Sequence, residues 1–141
     1  MQHPVVNVKL DDNAYMPERA HDTDAGADIR TPHAFAIRPH ESVIVPTGVH
    51  VELPEGTVGM LKSKSGLNVN RNITSEGVID EGFTGEIIVK LYNHGPFTEE
   101  FAIGDKITQL VIMPVLYPTY QQADVITGGE RGDNGYGSTG R

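Results

Sequence analysis

Residues 77–86 read Gly-Val-Ile-Asp-Glu-Gly-Phe-Thr-Gly-Glu, a short apolar run that ends in two acids and a glycine-flanked bend. Val78 and Ile79 favour extended chain, and Gly82 and Gly85 let it reverse, so the stretch is predicted to form the arm and tip of a β-hairpin. Successive side chains of a strand alternate faces, so Asp80 and Glu81 point opposite ways and only one looks into any single site. The working premise is that this one is Asp80, held rigid and partly desolvated at the strand end. Acids beside glycines are also ordinary turn chemistry. The rest of the chain must choose between a solvated turn and a working carboxylate.

Outward from the hairpin, sixteen glycines and nine prolines divide the 141 residues into short extended pieces, and no long amphipathic helical period interrupts them. Strands are expected over 5–10, 34–38, 42–45, 49–53, 58–61, 87–91, 100–103 and 107–115. In the fourth of these, Val49, Val51 and Leu53 alternate with His50 and Glu52, which predicts one buried face. Gly104-Asp105 supplies a tight turn before the last strand. Many short strands at this spacing predict an all-β sandwich, jelly roll or barrel in one domain spanning 1–141. Residues 127–141 are glycine-rich and almost free of apolar side chains. They are expected to form a mobile arm unless a ligand or a neighbouring subunit orders them.

Eleven Lys and Arg against nineteen Asp and Glu leave a net charge of -8, which argues against nucleic-acid or anionic-membrane binding by bulk electrostatics. A phosphate ligand then needs a local basic site, a metal, or both. With no cysteine, disulfides, thiolate metal sites and a thiolate nucleophile are excluded. His3, His21, His33, His40, His50 and His94 stand at no ligand-like spacing and read as surface residues. Neither a signal-peptide pattern nor a stretch of transmembrane length is found, so a soluble, cytoplasmic protein is expected.

Four further stretches differ from ordinary loop. In Asp24-Ala-Gly-Ala-Asp28-Ile-Arg30, small and apolar neighbours hold Asp28 at a strand start, unless Asp28 and Arg30 are only a local ion pair. Leu61-Lys-Ser-Lys-Ser-Gly-Leu67 gathers cations, hydroxyls and a glycine that suit a phosphate, and a short helix beginning after Ser65 would add free N–H groups. A solvated basic loop has the same composition. Gln109 interrupts an apolar strand, and its amide must find a partner in the sheet or in a ligand. In the arm, Arg131, Tyr136 and hydroxyls among glycines make a poor core but a flexible clamp for something flat and anionic.

Taken in order, Ala-Gly-Ala-Asp-Ile-Arg, Ser-Lys-Ser-Gly-Leu, Gly-Val-Ile-Asp-Glu-Gly-Phe, Gly-Asp-Lys-Ile-Thr-Gln-Leu and Arg-Gly-Asp-Asn-Gly-Tyr-Gly-Ser-Thr-Gly resemble the five motifs of the homotrimeric dUTP pyrophosphatase (dUTPase) family. The resemblance implies a jelly-roll-like β fold of the β-clip type, assembled as a trimer with active sites at subunit interfaces and dUTP as substrate. It implies that Asp80 is the general base for water attacking the α-phosphorus, giving dUMP and pyrophosphate. Asp28 would position Mg2+ through a water. Lys64, Ser65, Gly66 and Gln109 would hold phosphate oxygens. The segment from Val78 to Ile88 would offer backbone groups to uracil, with Thr74, Gly77, Val78, Ile79, Phe83 and Ile88 as substrate-binding residues. Arg131, Tyr136, Gly137, Ser138 and Thr139 would close over the nucleotide.

Three positions depart from the family pattern: Lys64 replaces Arg and loses its bidentate fork, Phe83 replaces Tyr under the deoxyribose, and Tyr136 replaces the commoner Phe. Ribose rejection is expected to survive, because the Phe83 ring still crowds a 2′-hydroxyl. Two rivals are weighed. A dCTP deaminase would share the fold but not the Asp80 context and glycine-rich arm; a binding or capsid-like module without turnover would have no use for Asp28, Asp80 and Arg131 together.

Overall fold

The fold grows from alternation. In β8 (Ile88–Asn93) Val89, Leu91 and Asn93 face inward while Ile88, Lys90 and Tyr92 face out, the period that one buried sheet face demands. The computed structural model describes residues 3–137 and 139–140. Before β8 come β1 (Asn7–Leu10), β2 (Gly26–Arg30), β3 (Phe35–Ile37), β4 (Ser42–Pro46), β5 (Val49–Glu52), β6 (Thr57–Lys62), α1 (Ser65–Arg71) and β7 (Ile73–Ile79); β9 (Glu99–Phe101) and β10 (Lys106–Pro114) follow it.

A six-stranded antiparallel sheet runs in the order β2-β10-β6-β7-β8-β4, with β1-β5 and β3-β9 as two-stranded additions. Its curled antiparallel layers make a jelly-roll-like β fold, as the sequence predicts. Ile29, Val49, Val51, Leu61, Val89, Leu91 and Ile107 are among the buried side chains that fill the interior. The buried polar side chains other than Asp28 are tied to backbone or to one another: Asn93 donates to the carbonyls of Ile37 and Phe97, and Ser75 shares a hydrogen bond with Thr108. Such pairing removes the cost of burying them.

Strand ends move by a residue or two from their expected places, and three elements exceed the expectation. β2 spans Gly26–Arg30, so Asp28 sits at the middle of a strand and not at its start. β7 starts at Ile73, well before the Val78-Ile79 pair that announces it. The helix does begin at Ser65, but it is short and has no buried residue, so it leaves no hydrophobic period in the sequence.

Candidate active site

β7 changes partners along its length. Its first residues pair with β8 through Ile73↔Asn93, Thr74↔Tyr92 and Ser75↔Leu91. Beyond Ser75 its register partners lie on β6, from Lys62↔Glu76 to Gly59↔Ile79, while β8 pairs with β4 as far as Pro46↔Ile88. The two arms of the hairpin therefore open like a fork, and each turns an unpaired backbone edge toward the gap. A cleft of about 300 Å³ occupies this fork, lined by Gly77, Val78, Ile79, Asp80, Phe83 and Ile88 among others. Val78, Phe83 and Ile88 are 61%, 47% and 52% exposed, an apolar rim that a flat ring can cover. The expected substrate-binding residues of the hairpin meet here, Thr74 excepted. Thr74 lies at the other end of β7 and shares a 2.7 Å hydrogen bond with Nε2 of His94.

β7 ends at Ile79, so both acids lie in the turn, and Asp80 lines the cleft while Glu81 does not. Asp80 is exposed at the mouth of the cleft, so the expected partial desolvation is not met within one chain. Glu81 turns away, and one of its oxygens accepts from the Gly56 N–H and from the Tyr117 hydroxyl, each at 2.7 Å. The hydrogen bond from Tyr117, then that from Gly56, holds the Glu81 carboxyl below the usual carboxylate range. The same contact raises the Tyr117 phenol above its ordinary value. A second depression, containing Thr57, Asp80, Glu81 and Tyr117, lies on that side. Glu81 thus moors the residue beside Asp80 to the β5–β6 turn.

The phosphate-like residues form a separate cluster. Asp28 is 6% exposed; Lys64 donates to one of its oxygens, and the Lys106 ammonium lies 3.2 Å from the other. Burial pushes the Asp28 carboxyl up, but the hydrogen bonds and charges of Lys64 and Lys106 prevail and leave it below the ordinary value. Gln109, opposite Asp28 in the β10–β2 register, donates to the Ser63 carbonyl at 3.0 Å, and its side chain fills the space over Gly26. Lys64 caps α1 without a side-chain hydrogen bond, and Ser65 and Gly66 open the helix. Arg30 is drawn off to the Gly104 carbonyl at 2.8 Å, so the local Asp28–Arg30 pair is not what holds Asp28.

Among the described residues no three His, Cys, Asp or Glu gather as a metal cage. Asp28 offers one carboxylate, already neutralised by two ammoniums. That donor set fits a hard cation carried chiefly by phosphate oxygens and water, and does not fit one held by protein alone.

Lys64 and Asp80 are far apart on one chain. Ser63 bonds to both backbone groups of Ser75, which places Lys64 level with that residue. From Ser75 to Asp80 is five residues of extended chain, about 16 Å. Asp28 is displaced further, three strands to the side of β7. The arm is separate again. Arg131 donates to the carbonyls of Asn134 and Gly135, and Gly137 and Thr139 are exposed like Tyr136. Ser138 lies outside the described residues. Sequence reasoning missed Lys106, Tyr117 and His50 as structural partners of these groups; their partners are distant in the chain, and no local pattern marks them.

The family model described as dUTPase matches residues 12–140. The deoxyuridine 5'-triphosphate nucleotidohydrolase of Tropheryma whipplei (strain Twist) is 42% identical over 133 residues, 90% of each chain. That of Gloeothece citriformis (strain PCC 7424) is 39% identical over 135 residues, covering 94% of this chain and 93% of its own. The dUTPase of Staphylococcus bacteriophage 80alpha, a point mutant solved with dUpNHpp, superposes with a TM-score of 0.92 at 30% identity, over 99% of this chain and 100% of that one. A point mutant of the dUTPase from phage phi11 of S. aureus, described as revealing coordination of a structural Mg(II) ion, gives 0.82 at 30% identity over 89% and 100%.

Proposed function

Because the chain belongs to the dUTPase family and is a dUTP diphosphatase, we propose that it cleaves dUTP to dUMP and pyrophosphate with Asp80 as general base, in sites completed by neighbouring copies of a homotrimer. The observation that carries this reading is the opened fork between β7 and β8, a slot with free backbone edges and an apolar rim beside one exposed carboxylate.

The base enters the fork between Val78 and Ile88. Backbone N–H and C=O groups of the two arms match uracil's acceptor–donor–acceptor edge, and cytosine would set its amino group against a donor, a mismatch that costs binding. Phe83 packs under the deoxyribose and crowds a 2′-hydroxyl. The α-phosphorus then lies near Asp80. Its carboxylate takes the proton of a water whose oxygen attacks that phosphorus, and the bond to the oxygen bridging to the β-phosphorus breaks, so the electron pair leaves with pyrophosphate.

The remaining phosphate contacts come from another copy of the chain, since Lys64, Ser65, Gly66, Gln109 and Asp28 of the same subunit are out of reach. When bound, magnesium would neutralise charge on the triphosphate, with Asp28 accepting a hydrogen bond from one of its waters. Lys64 exchanges the Asp28 carboxylate for phosphate oxygens, as a point charge and not a fork. The arm closes the site, Tyr136 stacking on the base and Arg131, Ser138 and Thr139 reaching phosphate, which excludes water other than the nucleophile. On this reading the enzyme keeps uracil out of DNA and supplies dUMP.

Pyrophosphate release from dUTP with magnesium tests the role of Asp80. Asp80→Asn should lose at least about a hundredfold in kcat while dUTP still binds. Equal rates for the variant and the parent would remove Asp80 as base.

A further inference from the structure

Both ring nitrogens of His50 face oxygen acceptors. Nδ1 lies 2.9 Å from the Thr84 carbonyl oxygen and Nε2 lies 3.0 Å from a carboxylate oxygen of Asp11. A carbonyl and an ionised carboxylate only accept, so both bonds form together only when the ring carries two N–H groups. Neutral imidazole has one, and because a carboxylate is a stronger acceptor than a neutral carbonyl, that N–H stays on Asp11 and the Thr84 carbonyl is released. The side chain is 19% exposed, set between β1, β5 and the tip of the hairpin. Thr84 separates Phe83 from Gly85, and the Phe83 ring packs directly over Gly85. The carbonyl that His50 grips therefore belongs to the residue next to Phe83, whose ring lines the cleft and rests on Gly85.

We propose that His50 is a positioning residue for the nucleotide-binding hairpin: the imidazolium grips the tip that carries Phe83, neutral His50 lets it go, and dUTP affinity falls as pH rises. This rests on the reading of the fork as the nucleotide site. The other fastenings of the hairpin include the Gly56 N–H and the Tyr117 hydroxyl on Glu81, the Gly48 N–H on Glu86, the Ile87 N–H on the Val49 carbonyl, and the Thr47 N–H and hydroxyl on the Ile87 carbonyl, none of which involves a histidine. Around His50 the charged groups are Asp11 after β1, Lys9 opposite it in the β1–β5 register, Glu52 on the same face of β5, and Glu86 at the end of the hairpin. The bond to Asp11, then the bond to Thr84, holds the ring's pKa above the ordinary imidazole value against burial and the charge of Lys9. A pKa raised in the folded state means that the grip is complete below the unfolded value and is lost as pH rises through the folded one.

Steady-state dUTP hydrolysis by the full chain, from about pH 6 to about pH 8.5, tests this with the parent, His50→Gln and Asp11→Asn. At the acid end the KM of His50→Gln should exceed that of the parent by roughly three- to tenfold, with kcat matched. The ratio should approach one at the alkaline end, where the parent has also lost its grip, and ionisation of the uracil cancels in it. Asp11→Asn should shift the rise in the parent's KM to lower pH. A KM ratio that stays constant with pH, or an effect on kcat alone, overturns the proposal. A parent that turns over no dUTP at any pH would instead sink the reading of the fork. The grip is then read directly by NMR of the free protein: the Gly85 amide should titrate together with the His50 ring, and an unmoving amide overturns it.

Discussion

On the proposed function, Phe83 is the residue on which substrate choice turns. Its ring lies over Gly85 so closely that a Cβ there would sit 2.6 Å from Phe83 Cζ. The ring is thereby held across the wall of the cleft without the phenol oxygen that the family pattern carries. A side chain at position 85 must push the ring aside, and the ring is what the proposed function sets against a ribose hydroxyl. The parent should therefore prefer dUTP strongly over UTP, and Gly85→Ala should raise the KM for dUTP by roughly three- to tenfold while narrowing that preference. Steady-state kinetics on the two nucleotides check both. A parent that turns over UTP as well as dUTP would contradict the role given to Phe83.

At the scale of elements, the hairpin stands between two moorings, Glu81 on the side of Gly56 and Tyr117, and Glu86 with His50 on the side of β5. Glu81 has its pKa lowered by the Tyr117 and Gly56 hydrogen bonds. Its contribution is thus fully present above the unfolded carboxylate value and is lost as pH falls through the folded one. The difference in melting temperature between the parent and Glu81→Gln should be widest near neutrality and close toward acid; a difference that does not change with pH would show that the charge is not what holds the turn. The sequence singled out Asp80 over Glu81 for the cleft, and only Asp80 lines it, although β7 ends at Ile79 and both acids also line the depression beside Tyr117. It foretold neither mooring, because Gly56 and Tyr117 are brought to Glu81 by the β6–β7 and β6–β10 ladders. The fork itself was equally hidden. Val78 and Ile88 announce two arms, but where β7 leaves β8 for β6 is a matter of register between strands. Asp28 was legible as a held side chain, while Lys106, distant in the chain, was not. His50 was placed on the outward face correctly and was misjudged only in being taken as idle surface.

At the scale of the whole molecule, three clusters that the chemistry needs together stand apart on one chain: the fork with Asp80, the phosphate group around Lys64 and Asp28, and the arm with Arg131 and Tyr136. A site that places a nucleotide against all three must borrow from other copies. Closed symmetry gives each borrowed part a donor, since every subunit lends what it receives. On the proposed reading, Asp80 is exposed in the isolated chain because a neighbour supplies its desolvation. Co-assembly of two inactive variants, Asp80→Asn and Lys64→Ala, after joint unfolding and refolding measures this most directly. Random mixing of equal amounts should restore about a quarter of the parental sites, those pairing an intact Asp80 with an intact Lys64 from different chains. A mixture no more active than the mean of its two components would contradict the shared site.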